Sequence, residues 1–97
     1  MSEKPTVPEL LRSGAQTYEE RNRIYGDNYK QAGALLKVLF PDGLPPMDAD
    51  GWNRFGVWLM VFGKAVRYAA QLQNGGHKDS AHDAMVYAAM LEELTDE

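Results

Sequence analysis

Apolar side chains recur along this chain at i, i+3, i+4 and i+7, and no segment shows the period-two alternation with β-branched residues that marks a strand. The pattern predicts an all-α protein. Thr17-Tyr-Glu-Glu20 has capping-box spacing and opens a helix toward Tyr25, with Gly26 as its stop. A second segment runs from about Tyr29 to Phe40, carried by Tyr29, Ala32, Leu36, Leu39 and Phe40. Pro41-Asp-Gly-Leu-Pro-Pro46 ends it, since Pro41 disfavours the α conformation at Phe40 and Asp42-Gly43 is turn chemistry. Asp48 or Asp50 can cap the next helix, from about Trp52 to Gln73, roughly 33 Å at 1.5 Å per residue. Asn74-Gly75-Gly76 stops it, and Ser80-Ala-His-Asp83 is a second capping-box spacing that opens a last helix toward Leu94. The expected architecture is a small bundle of four helical segments with a long C-terminal antiparallel hairpin, completed by oligomerisation. As one domain over 1–97, it divides into an N-terminal arm (1–16), a helical pair (17–40), a Pro/Gly loop (41–49) and the hairpin (50–95).

The faces of the third segment do not suit a plain bundle. With Trp52 at 0° and about 100° per residue, Trp52, Phe55, Leu59, Phe62, Val66, Ala69 and Ala70 form an ordinary core stripe. The opposite side mixes Val57, Met60, Val61 and Tyr68 with Asn53, Lys64, Arg67 and Gln71. A helix apolar nearly all round is covered on both sides, so this mixed face is expected to meet another subunit or to line a pocket. Gly56 and Gly63 edge the core stripe, and Ala81, Ala84 and Ala88 make a small stripe on the last helix. Their pairing predicts close backbone packing of the two helices, with room for a flat ligand as the alternative.

Candidate chemistry concentrates near the hairpin's end. Lys64, Arg67, Tyr68 and Gln71 present two cations, a phenol and an amide on one face, which suits a phosphate with Tyr68 or Trp58 as a stacking surface; a solvated charged edge is the plain reading. Asp83 interrupts the apolar set Ala84, Val86, Tyr87, Met90, Leu91 and Leu94, so it either caps with Ser80, reinforced by Arg67, or orients Arg67 or Lys64 toward an anion, or binds a ribose hydroxyl or a metal. Gly75-Gly-His-Lys-Asp-Ser80 leads into a helix N-terminus, where free amides attract anions and His77, Lys78 and Ser80 could assist, but it lacks the Walker pattern. His77, Asp79 and Asp83 could in principle share one metal ion. Tyr25-Gly-Asp-Asn-Tyr29, preceded by Arg21 and Arg23, is either a helix break or a nucleotide contact.

Composition narrows these options. The chain has 97 residues, 44% of them hydrophobic, and no cysteine, which removes disulfides, thiolate catalysis and cysteine–zinc sites and fits an intracellular, cytoplasmic protein. The net charge is −4, but Glu92, Glu93, Asp96 and Glu97 account for all of it, so residues 1–91 are formally neutral. No basic stripe for duplex nucleic acid is present. The uncharged run Phe55–Gly63 is far short of the about 20 residues of a membrane span, and Met1–Arg12 has no apolar h-region of a secretory signal. No Ser–His–Asp spacing or helical ExxE pair supports hydrolase chemistry.

Four segments together carry a resemblance: Arg21-x-x-x-Tyr25-Gly-Asp, Asn53-Arg54-x-Gly56, Lys64-x-x-Arg67-Tyr-Ala and Gly76-His-x-Asp-Ser-x-x-Asp83-x-x-x-Tyr87-Ala. They resemble small phage and prophage helical proteins associated with nucleotide modification, similar in outline to MazG-like nucleotide pyrophosphohydrolases. The resemblance implies an oligomer that recognises a nucleotide or nucleotide-derived molecule. The expected ligand-binding residues are Tyr25, Asn53, Arg54, Lys64, Arg67, Tyr68, His77, Asp79, Asp83 and Tyr87, with Lys64, Arg67 and His77 for phosphate, Asp83 for orientation or a ribose hydroxyl, and Tyr68, Tyr25 or Trp58 for the base. MazG-like enzymes hold magnesium with paired ExxE and ExxD motifs, and this chain has no equivalent pair, so the expected activity is sequestration without catalysis and without a cofactor. In size and kind it is similar to phage sponge proteins that bind immune signalling nucleotides. Two alternatives stand beside it: a divergent magnesium-dependent pyrophosphohydrolase or phosphodiesterase with Asp79 and Asp83 as ligands, and an interaction module for a host protein.

Overall fold

Thr6 opens the first helix. In the computed structural model, which describes residues 3–96, its extended backbone (φ −80°, ψ 164°) lets the Thr6 hydroxyl accept from the Glu9 amide at 3.4 Å, and Pro8 sits in the first turn, where no intrahelical donor is needed. α1 therefore runs from Val7 to Tyr25, and the stretch expected as an arm is helical from Val7 onward. Thr17 is mid-helix and its hydroxyl donates to the Ser13 carbonyl at 3.2 Å, so it caps nothing. Thr6-x-x-Glu9 is the capping spacing that acts. Gly26, at φ 62°, stops α1.

A one-turn 3-10 helix at Asn28–Lys30 follows, then α2 (Ala32–Leu39), so the segment expected from Tyr29 is broken at Gln31. Asp48 caps α3 (Ala49–Ala70) by accepting from the Gly51 amide at 2.9 Å. Leu72–Asn74 form a second 3-10 turn, and Gly75 turns the chain in the left-handed region at φ 93°. α4 spans Lys78–Leu94. Its cap is His77, not Ser80. The Ser80-x-x-Asp83 spacing is therefore no capping box: Ser80 is the third helical residue and donates to the cap. No strand occurs among the described residues. Met1, Ser2 and Glu97, the first two residues of the expected arm and the last of the tail acids, lie outside them.

α3 and α4 form the expected antiparallel hairpin, to which α3 contributes its mixed side rather than its core stripe. Its mixed side meets α4, where Lys64 pairs with Asp83 and the Tyr68 ring lies against Gly76. The aromatic stripe instead faces α1 and α2. Along it Trp52, Phe55, Trp58 and Phe62 follow one another with centroids 5.3–6.0 Å apart, and Phe40 at the end of α2 sets its edge on Phe55 and Trp58. Gly56 and Gly63 do not seat α4 either. A Cβ at either would meet nothing within 4 Å, which corrects the expected close packing.

The cover over the aromatic stripe is thin. α1 is tied down at its C-terminal end, where Asn28 donates to the Val66 carbonyl at 2.9 Å and the Gln71 amide donates to the Ile24 carbonyl. From Val7 to Glu20 every residue of α1 is exposed. The radius of gyration is 17.1 Å, against about 12.5 Å for a compact chain of this length. No hydrophobic side chain among the described residues is fully buried. No described helix is long and apolar enough to cross a membrane.

Candidate functional site

The ties at the end of α1 bring several of the candidate side chains together. The Arg67 guanidinium lies over the Tyr25 ring at 5.3 Å, and the His77 ring meets the same ring edge-on at 5.4 Å. His77 Nδ1 accepts from the Ser80 hydroxyl at 2.7 Å and from the Ser80 amide at 3.3 Å, which assigns the ring proton to Nε2. Ser80 is only 2% exposed, so this serine–histidine contact locks the start of α4 and presents no accessible nucleophile.

Lys64 is spoken for. Its ammonium lies 3.3 Å from Asp83, with the lysine 16% and the aspartate 46% exposed, so the pair satisfies the carboxylate that interrupts α4. Asp79 is exposed in the first turn of α4. Tyr87 is half-buried, one turn beyond Asp83. Asn53 and Arg54 lie at the far end of α3, about 15 Å along the helix from Lys64 at 1.5 Å per residue, and Arg54 approaches Asp96 at 3.9 Å. The geometry thus joins Tyr25, Arg67 and His77, holds Lys64 and Asp83 on the hairpin face beside Tyr68, and leaves Asn53 and Arg54 apart. Among the described residues no three His, Asp or Glu side chains converge on a point that could hold a metal ion, so His77, Asp79 and Asp83 are not gathered around one ion.

Beside the Tyr25–Arg67 contact a groove of about 620 Å³ opens between α1, the turn into α2, and α3. Leu36, Leu59, Phe62 and Val66 give it an apolar floor, Tyr18, Tyr25 and Tyr29 line it, and Arg21 and Arg67 bring two positive charges. No carboxylate among the described residues lines it. Neither arginine is in an ion pair among the described residues. Gly63 lines the groove too, so the missing side chain widens this space.

Polar contacts fix the corner where α1 ends. Asn22 donates to Asp27 at 2.9 Å and to the Gly26 carbonyl at 3.1 Å, and Lys30 meets Asp27 at 3.3 Å. The Asn22 hydrogen bond, followed by Lys30, holds the Asp27 carboxyl below the ordinary carboxylate range, and Asp27 raises Lys30 in return. The Tyr18 and Tyr29 hydroxyls are 3.4 Å apart, and this contact pushes the Tyr18 phenol up. Tyr18 and Asn22 escaped the sequence reading. Their signal is in the sequence: Tyr18, Arg21, Asn22 and Tyr25 stand at i, i+3, i+4 and i+7 on one face of a helix that begins at Val7 rather than at Thr17.

No family model, curated protein or solved structure matches the chain.

Proposed function

We propose that this chain is a binding protein that holds a small anionic, nucleotide-derived ligand in the groove and does not turn it over. One observation carries this reading: a tyrosine-rich groove is lined by two arginines that, among the described residues, have no ion pair and share the lining with no carboxylate. Guanidinium forks recognise phosphate oxygens in pairs, and tyrosine rings offer faces on which a base stacks. Arg21 and Arg67 would take the phosphate, and Tyr25, Tyr18 or Tyr29 the base. His77 supports Tyr25 from behind, and Lys64 and Asp83 serve the hairpin. The resemblance to phage helical proteins extends the reading to immune signalling nucleotides as the ligand class. The hydrolase alternative has no support from the placement of Asp79 and Asp83.

The test is a thermal-shift and dialysis screen of the purified chain against mononucleotides, cyclic nucleotides and ADP-ribose derivatives, with and without magnesium, followed by heat release and mass analysis. Intact ligand recovered in stoichiometric amount supports sequestration. Arg67→Ala removes a charge-assisted contact of about 1.5–3 kcal/mol, so affinity should fall roughly 10- to 150-fold while helix content stays unchanged. Turnover of a nucleotide, or no binding across the panel, refutes the proposal.

A further inference from the structure

α1 carries more apolar surface than its own chain covers. At 100° per residue, Val7, Leu10, Leu11, Gly14, Tyr18 and Tyr25 fall within one arc of about 100°. The C-terminal half of this stripe, from Gly14 through Tyr18 to Tyr25, lines the groove. The N-terminal half does not, and Val7, Leu10 and Leu11 are 68%, 55% and 70% exposed. The whole chain tells the same story. Its accessible surface is 7954 Å², whereas a compact 10.9 kDa monomer exposes about 5,600 Å². The surplus is about three times the roughly 800 Å² that each partner commits to a standard interface.

Gly14 says where the cover arrives. It stands in the interior of α1 without a positive φ, so its own backbone does not call for glycine, and a Cβ there would meet nothing within 4 Å. Glycine is a worse helix former than alanine, and close approach of a second helix is what its missing side chain permits. The stripe is also self-complementary about this point. Leu10 lies four residues before Gly14 and Tyr18 four after. A two-fold axis through Gly14 therefore sets each bare apolar half against a groove-lining half.

We propose that two copies of this chain pair through antiparallel α1 helices crossing at Gly14, so that Val7, Leu10 and Leu11 of each copy close the apolar end of the other's groove. The end bearing Arg67 and Tyr25 stays open. The groove is then a site that one chain leaves incomplete, and the pairing itself requires no ligand.

The test uses the full chain without nucleotide. Sedimentation velocity at tens of micromolar should give twice the 10.9 kDa chain mass, and Leu10→Glu should weaken association at least tenfold. The chain has no cysteine, so Gly14→Cys reports the crossing directly. Mild oxidation should link it into a covalent dimer, because a disulfide needs Cα atoms within about 7 Å, whereas Gln16→Cys, on the opposite side of α1, should stay unlinked. Monomers at these concentrations, or linkage at Gln16 as fast as at Gly14, overturn the proposal. Both readouts are taken without nucleotide, so a failure of the pairing is distinguishable from a failure of the groove to bind.

Discussion

His77→Ala removes one nitrogen on which two donors converge. The Ser80 amide loses the acceptor that caps α4, a loss of about 0.5–2 kcal/mol for a capping side chain. The Ser80 hydroxyl, 2% exposed, loses its 2.7 Å partner, and a buried polar group left unpaired costs about 1–3 kcal/mol. The two losses share one site, so the expected destabilisation is about 2–4 kcal/mol. For a chain near 100 residues, that lowers Tm by something on the order of 10–25 °C. The assay is thermal and urea denaturation followed by far-UV circular dichroism, at one fixed protein concentration because an oligomer's Tm depends on it. Two companions separate the terms. Ser80→Ala takes away the hydroxyl that needs a partner, so adding His77→Ala in that background should cost only the cap, about 1 kcal/mol. His77→Asn supplies another good capping acceptor and should recover much of the loss. A cost for His77→Ala below about 0.5 kcal/mol, or strict additivity with Ser80→Ala, would refute the claim that this contact holds the start of α4.

Lys64→Met leaves Asp83 facing the hairpin without its cation; because that carboxylate is half-exposed, the cost should be about 1–2 kcal/mol, between an exposed and a buried pair, and Asp83→Leu in the same chain should restore most of it in urea denaturation. The depressed Asp27 carboxyl makes its contribution above the ordinary aspartate value of about 3.9 and loses it only as pH falls through the lower folded value, so the corner at Asn22 should open below about pH 4. Side-chain amide resonances of Asn22 followed by NMR report this, and a midpoint at or above the ordinary value contradicts the geometry.

Much of the architecture could be read from the residues, and the misreadings share a cause. The helix stops at Gly26, Pro41 and Gly75 were legible because glycine and proline act locally. So was the α3–α4 hairpin, whose turn contains Gly75-Gly76. Helix starts were harder. Thr6-x-x-Glu9 and Thr17-x-x-Glu20 have the same spacing, and only the backbone shows which threonine is extended; the capping role of His77 lies outside the usual Ser, Thr, Asp and Asn set. Which side of α3 meets α4 was not legible from the stripe, because periodicity says that a helix has two apolar sides and not which neighbour takes each. In the structure Lys64 on the mixed side pairs with Asp83 of α4, and the aromatic stripe is left to α1 and α2. Of the candidate site, Tyr25 and Arg67 reach the groove because the chain break at Gly26 and the end of α3 meet there. Tyr18 was hidden by the late start given to α1.

The two proposals are linked in energy. If the partner's α1 closes one end of the groove, the paired state binds the ligand more tightly than the single chain does, and linkage requires the ligand to tighten the pairing by the same factor. Couplings of this kind are typically about 1–3 kcal/mol, or roughly 5- to 150-fold. Ligand affinity should therefore weaken as the protein is diluted below its dimer dissociation constant. Sedimentation with and without saturating ligand gives one factor, and ligand titration of the parent chain against the Leu10→Glu variant gives the other. Equal factors above unity mean that the second copy forms part of the wall. Unchanged ligand affinity in a monomeric Leu10→Glu chain would mean that Tyr25, Arg21 and Arg67 make the whole site from one chain, with the pairing serving only to cover α1.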